Sequence, residues 1–114
     1  MINQKVNILG EEWSVIVKDK EEAKGDYILE NCGDGYCDAT IKAVVALRAV
    51  TEKDALKNID AYNKTTLRHE LIHAFLDESG LKQNSSWARN EEMVDWFANQ
   101  LPKIFKVYKE LNLL

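Results

Sequence analysis

Apolar and polar residues alternate through the N-terminal half of the chain, and this two-residue period is typical of β-strands. The segment KVNILGEEWSVIVK (residues 5–18) alternates on both sides of a glycine, which predicts a first hairpin. A second turn is expected at Gly33 to Gly35. Residues 40–47 are apolar and β-branched enough for a central or partly buried strand. We therefore predict a small, mostly antiparallel sheet in this half.

After residue 50 the apolar positions follow the period of an α-helix. Thr51 with Asp54 resembles a capping arrangement, which predicts a short helix to about Tyr62. Thr65 or Thr66 can cap the next helix, and Gly80 would end it. Pro102 is expected to break or bend the last helical segment, because proline lacks the N–H that a helix interior needs. A sheet followed by helices predicts an α+β fold. The predicted helices span residues 51–62, 65–79, 87–101 and 103–111.

Length and charge narrow the possible functions. The 114 residues are expected to form one domain, 1–114, with a single core. The net charge of −4 argues against a sequence-independent nucleic-acid binder, which needs a basic face, and favours a polypeptide or small-molecule partner. The longest apolar run, residues 43–47, is too short to cross a bilayer. We expect a cytoplasmic protein that does not bind membranes; the sequence does not predict its oligomeric state.

The two cysteines, Cys32 and Cys37, lie close together in CGDGYC. They could form one hairpin disulfide if the chain were exported, but no export signal is evident at its N-terminus. We therefore expect two reduced thiols.

Both histidines lie in TLRHELIHAF (66–75), four residues apart, with a glutamate directly after the first. Each helical residue turns about 100°, so His69 and His73 share one face and can bind one ion. Glu70 is wrongly aimed for that ligand set but can reach a water bound to the ion. Chance gives this pattern in only about 0.2 % of such chains. The apolar stripe that would press this helix onto the sheet comprises Leu67, Leu71, Ala74 and Phe75.

A third protein ligand must be an acid or a thiol, because the chain has no third histidine. Glu91 lies at the edge of the apolar face of the following helix, and geometry favours it. Glu92 points about 100° further round and is the first alternative, with Asp77 and Glu78 as the others. Two imidazoles, a carboxylate and a water form a known catalytic zinc arrangement, so the predicted cofactor is Zn²⁺. The apolar face comprises Val94, Phe97, Ala98 and Leu101.

Asp95 lies one helical turn after Glu91. Two carboxylates at this spacing repel each other on a bare helix by a few tenths of a kcal/mol. If Glu91 binds the metal, Asp95 can accept the ring N–H of a liganding histidine, with His69 as the expected partner. Such a hydrogen bond would fix the tautomer and orientation of the ring.

These residues resemble the gluzincin metallopeptidases, which have an HExxH helix, a turn and a second helix whose glutamate is the third ligand. NEEMVD (90–95) is similar to the Asn-Glu-x-x-x-Asp segment of the thermolysin-like members. Unlike those enzymes, the chain has no further histidine to act as a transition-state donor. The resemblance implies a minimal zincin-like domain with His69, His73 and Glu91 as zinc ligands, Glu70 as general base and Asp95 supporting a histidine.

The segment GYCD before a strand, together with the HExxH helix, is also similar to small metallopeptidase-like proteins of phages and prophages of Gram-positive bacteria. This resemblance covers about residues 32–102. It implies a peptide-hydrolysing enzyme in the cytoplasm of a bacterial host.

The predicted function is therefore zinc-dependent hydrolysis of a peptide bond in an extended polypeptide substrate. If residues 40–47 form an edge strand, their free backbone groups could pair with that substrate. The alternative is a non-catalytic zinc-containing phage or prophage protein that binds a host or phage protein. A metal hydrolase acting on another kind of substrate is a third possibility. The candidate oxyanion donors are Tyr36, Tyr62, Arg68 and Arg89.

Overall fold

The protein has an α+β fold, as predicted, in a computed structural model that describes residues 1–50 and 57–114. Within these two ranges, no helix is both long and apolar enough to cross a lipid bilayer. The strands are β1 (Ile2–Ile8), β2 (Glu11–Lys18), β3 (Gly35–Asp38) and β4 (Ala43–Leu47). The helices are α1 (Tyr27–Asn31), α2 (Ile59–Glu78), α3 (Leu81–Asn84) and α4 (Glu91–Glu110).

The four strands form one sheet in the order β1-β2-β4-β3. The predicted first hairpin is confirmed, since β1 and β2 are antiparallel and Gly10 turns between them with φ +94°. β3 and β4 are also antiparallel, whereas β2 and β4 are parallel, so the sheet is mostly antiparallel. β4 is a central strand, and its residues 43–46 are all buried. The suggestion that residues 40–47 form an edge strand is therefore wrong, and the two edge strands are β1 and β3.

The chain bends at Gly33 and Asp34, as predicted, but this segment joins α1 to β3 and is not the turn of a hairpin. The Asp26 carboxylate accepts a hydrogen bond from the Leu29 backbone N–H (3.2 Å) and thereby caps α1. This short helix was not predicted, because the alternation of apolar residues indicates only strands in this half. The turn between β3 and β4 spans residues 39–42. Asp38 accepts hydrogen bonds from both the backbone N–H (3.0 Å) and the hydroxyl of Thr40, and this local turn removes Thr40 from the strand.

α2 is one continuous helix, and the predicted break between residues 62 and 65 is wrong. The hydroxyl of Thr65 donates to the carbonyl of Ala61 (2.9 Å), and that of Thr66 donates to the carbonyl of Tyr62 (3.1 Å). Each hydroxyl therefore bonds back into the preceding turn instead of capping a new helix. The cap is Asn58, and the predicted helix start near residue 51 lies outside the described residues.

The segment between the two long helices is short and locally capped. Gly80 has φ +82° and follows the end of α2, as predicted. Residues 82–87, KQNSSW, carry no periodic pattern and are expected to form a loop, but residues 81–84 form the single turn α3 and residues 87–89 form a 3₁₀ turn. The Asn90 side chain accepts a hydrogen bond from the Met93 N–H (2.9 Å), so α4 begins at residue 91 instead of residue 87.

α2 lies between the sheet and α4. Ala74 packs against Ile8, Trp13 and Val44 of the sheet, with Leu67 and Leu71 beside it as predicted. Phe75 does not join them, because it lies on the side of α2 towards α4 and is 44 % exposed. On that side the buried cluster comprises Leu76, Ala88 and Val94.

α4 continues through Pro102, although a separate last helix was expected. Proline at this position leaves the carbonyl of Ala98, four residues earlier, without its usual helical N–H donor. The guanidinium of Arg68 on α2 donates to that carbonyl through Nε (2.7 Å), and Ala98 is fully buried. This bond between helices satisfies the carbonyl and explains why the helix tolerates a proline.

Arg68→Met should lower the free energy of unfolding by about 1–3 kcal/mol, because the buried Ala98 carbonyl loses a charged donor. Pro102→Ala restores an N–H at the helical position, so Arg68→Met should cost less in that background. Urea unfolding of the two single variants and the double variant measures the coupling. An equal cost of Arg68→Met in both backgrounds would contradict this role for Arg68.

Candidate metal centre

His69, His73 and Glu91 converge on one point between α2 and α4. The Nε2 atoms of the two histidines are 3.2 Å apart. One carboxylate oxygen of Glu91 lies 2.9 Å from Nε2 of His69, and the other lies 3.1 Å from Nε2 of His73. Each of the three side chains thus presents an electron-pair donor to the same small space.

The spacing of these atoms fits a zinc ion. A tetrahedral Zn²⁺ with bonds of about 2.0–2.1 Å places its ligand atoms about 3.3 Å apart, close to the three separations here. Glu91 is 65 % exposed on its side chain, whereas His69 and His73 are 18 % and 12 % exposed, so one side of the site is open. Three protein ligands and an open position are typical of catalytic rather than structural zinc sites.

Asp95 orients one of the rings. Its carboxylate lies 2.7 Å from Nδ1 of His69, where a ring N–H can donate to it. A neutral His69 in this tautomer turns the lone pair of Nε2 towards the Glu91 carboxylate, which also carries lone pairs. Two acceptors at 2.9 Å repel each other unless a proton or a metal ion lies between them, and Nε2 of His73 faces the same space.

The local sequence explains how Glu91 reaches the histidines. Asn90 caps α4 and makes Glu91 its first residue, next to the centre rather than further along the helix. Val94, one turn on, is fully buried against Leu76 and Ala88 and holds this end of α4 against α2. Burial also lowers the pKa of His73, which favours the neutral imidazole that binds metals.

Glu70 lies beside this group but is not one of its three members. It is 9 % exposed and lines a cleft of about 420 Å³ together with His69, His73 and Glu91. Burial raises the pKa of Glu70 above its ordinary value; Glu91 adds to the rise, and His69 and Lys82 partly offset it. A carboxylate in this environment has a stronger affinity for a proton than an exposed one.

Gly35 of the edge strand brings the backbone of β3 against Glu70, a contact that the sequence pattern did not indicate. A Cβ at this position would lie 3.1 Å from Cγ of Glu70, 3.1 Å from the carbonyl oxygen of Val45 and 3.2 Å from Thr66. The Val45 oxygen belongs to the backbone of the paired strand and cannot turn away. Only glycine fits here without moving the strand or Glu70.

Gly35→Ala should therefore lower the free energy of unfolding by about 1–3 kcal/mol and reduce any activity that depends on Glu70. Gly10→Ala is the matched control. The φ of +94° strains an alanine there and should also lower stability, but no atom lies within 4 Å, so any activity should be unchanged. Urea unfolding and assays on fully folded protein compare the two. Unchanged stability and activity in Gly35→Ala would contradict the close contact.

The alternative third ligands form other contacts. The buried carboxylate of Asp77 accepts hydrogen bonds from Cys37, Lys82 and Gln83. Glu78 accepts from Trp13 and Lys42. Glu92 is exposed and is not part of the group around the two histidines.

Two of the candidate oxyanion donors have their donor groups engaged by other partners. The Tyr36 hydroxyl donates to Asp26 (2.8 Å), and Arg68 donates to the Ala98 carbonyl and to Thr65. Tyr62 donates to Asp34 in a neighbouring cavity of about 250 Å³. Arg89 lines the cleft itself, as does Lys82, which sequence reasoning missed because a surface lysine in a short turn carries no distinctive signal.

Both cysteines are free thiols, as expected. Cys37 lines the cleft, but its Sγ lies 3.6 Å from the Asp77 carboxylate and donates to it. Burial, followed by the negative charge of Asp77, raises the pKa of this thiol to about 12. Since a metal ligand has to be the thiolate, Cys37 is poorly suited to join the site.

Comparison of the chain with protein-family models found no match, and comparisons with curated proteins and with solved structures found none either.

Proposed function

We propose that the protein is a zinc-dependent metallopeptidase of the gluzincin type, with a minimal zincin-like fold. The observation that carries the proposal is the convergence of His69, His73 and Glu91 at zinc-ligand spacing, with Glu70 in the same cleft. Three protein ligands leave a coordination position for a reacting group. Asp95 supports the arrangement by fixing the His69 ring.

A zinc ion in this site supplies a water of lowered pKa and an electrophile for a carbonyl oxygen. Glu70 then acts as general base, because it lies in the same cleft as the ligands and can take a proton from water and hand that proton to the leaving amine. His69 and His73 remain neutral ligands. Asp95 retains the Nδ1 proton of His69, so the ring keeps its orientation.

The edge strand suits an extended polypeptide substrate. Among the described residues, β3 pairs with β4 on one side only, and Gly35, Tyr36 and Cys37 line the cleft. Backbone groups on the free side of an edge strand can hydrogen-bond an added strand. A peptide bound in this way would run past Glu70, which lies against Gly35.

We propose the cytoplasm of a bacterial host as the compartment, and a phage or prophage origin, from the resemblance noted above. The alternative function, a zinc-containing protein that grips a host or phage protein without cutting it, uses the same ligands. This alternative does not explain why the buried carboxylate of Glu70 lies beside an open coordination position.

The proposal is tested by incubating the zinc-loaded protein with a mixed peptide library and identifying new termini by mass spectrometry. We expect cleavage that a chelator abolishes and added zinc restores. Tight zinc binding without any cleavage would favour the non-catalytic alternative. Hydrolysis of esters or other non-peptide substrates alone would favour a different metal hydrolase.

A further inference from the structure

Two cationic side chains, Lys82 and Arg89, line one end of the cleft that contains Glu70 and the histidines. They come from α3 and from the 3₁₀ turn before α4, respectively. They are the cationic side chains of a cleft that also contains the carboxylates of Glu70 and Glu91.

Arg89 is the cation that is free to bind a ligand. The charge of Lys82 is paired with the buried carboxylate of Asp77, at 3.3 Å. Arg89 donates through Nη1 to the backbone carbonyl of Lys82 (2.6 Å), which anchors the guanidinium. Across residues 1–50 and 57–114 it forms no ion pair, so its other N–H groups are available.

The neighbouring cavity on the other side of His69 and Glu70 has the opposite character. It is lined by Asp34 and Asp95, together with the hydroxyl-bearing residues Tyr62, Thr65 and Thr66. An anionic group would be repelled at that end and attracted at the end of Arg89. The two cavities share Gly35, His69 and Glu70, so the difference in charge runs across the proposed reaction centre.

We propose that Arg89 binds a carboxylate of the substrate and so determines which peptides are accepted and in which direction they lie. The inference rests on the proposed peptidase function. A guanidinium matches a carboxylate with two parallel hydrogen bonds, and one anchored at its base loses little freedom on binding. The carboxylate comes either from an acidic side chain near the scissile bond or from the free C-terminus of a short peptide.

Three matched peptides distinguish these sources. The first has an acidic side chain and an amidated C-terminus, the second has a neutral side chain and a free C-terminus, and the third has neither acid. Binding is measured by fluorescence anisotropy on the full chain carrying Glu70→Gln, with and without zinc, so that no cleavage occurs. We expect one acid-bearing peptide to bind about tenfold more tightly than the third, and that peptide identifies the source.

Arg89→Gln should remove this tenfold gain because the amide has no positive charge, and the exposed Lys82 carbonyl can be hydrated in its place. Arg48→Gln is the matched control, because Arg48 is exposed and lines neither cavity beside the centre. The proposal is overturned if neither acid-bearing peptide shows a gain that depends on Arg89. It is also overturned if Arg89→Gln weakens all three peptides equally.

Hydrolysis of the same peptides separates this role from that of an oxyanion donor. A carboxylate-binding Arg89 predicts that Arg89→Gln raises KM for the acid-bearing peptide alone, whereas a donor to the transition state predicts a lower kcat for all three. Binding that depends on Arg89 without hydrolysis of any peptide would refute the peptidase and keep the carboxylate site. Hydrolysis without such binding would refute the carboxylate site alone.

Discussion

Glu70→Gln is expected to lower kcat/KM for peptide hydrolysis by about 10²–10⁴-fold while the protein still binds one zinc ion. Glutamine has the same shape and can occupy the same buried position against Gly35, but it cannot accept a proton from water. Because Glu70 is outside the ligand group, the metal should be retained. Steady-state kinetics and elemental analysis of the same preparation measure both quantities.

Glu92→Gln is the matched control for this substitution. Glu92 undergoes the same chemical change on the exposed surface of α4, and its hydrolysis rate and zinc content should be unchanged. Hydrolysis that persists in Glu70→Gln would show that another group takes the proton. Loss of zinc together with activity would mean that Glu70 is a ligand instead of a base.

His73→Ala is expected to reduce the zinc content of the purified protein from about one ion per chain to near zero. The imidazole supplies one of three protein ligands, and the remaining histidine and carboxylate form an incomplete site. Glu91→Gln should weaken zinc binding by more than about 100-fold, since even groups that only support a ligand cost 10–100-fold. Dialysis followed by elemental analysis, and competition with a chromogenic chelator, measure these effects.

The neighbouring glutamate again provides the comparison. Glu91→Gln and Glu92→Gln alter adjacent residues of one helix, and only the first should weaken zinc binding. Asp95→Asn should have an intermediate effect, because it loses the acceptor of the His69 ring N–H while all three ligands remain. Equal, negligible zinc in the unmodified chain and in His73→Ala would show that these three residues do not form a zinc site.

Some of this arrangement follows from local sequence. His69 and His73 share a face wherever their segment is helical, because the four-residue spacing is little more than one turn. Alternation around Gly10 similarly predicted the first hairpin, since strand period and turn residue agree there. The role of Thr65 and Thr66 does not follow from local sequence, because a threonine hydroxyl can either cap a new helix or bond back into the preceding turn. Both hydroxyls bond back into α2, where a helix start was expected.

The proline inside α4 depends on a contact with a residue that is distant in sequence. Pro102 predicts a break in the last helix, but Arg68, 34 residues earlier in the chain, supplies a donor to the carbonyl that the proline leaves unbonded. The order of the strands likewise depends on contacts between residues that are distant in sequence. The apolar run 43–47 indicates burial, yet only pairing with β2 and β3 decides that it is central and that Gly35 lies at the edge beside Glu70.

By itself, therefore, the sequence determined the pair of histidines, the glutamate between them and the α+β class, because each depends on residues within one or two turns of each other. The tertiary structure decided among the candidates that the sequence left open: Glu91 meets both rings, Asp77 and Glu78 are engaged elsewhere, and Arg89 faces the cleft. Those outcomes depend on how α4 packs against α2 and how the turns between them are bonded. Contacts between residues distant in sequence follow from the packing of the whole chain, which no local period encodes.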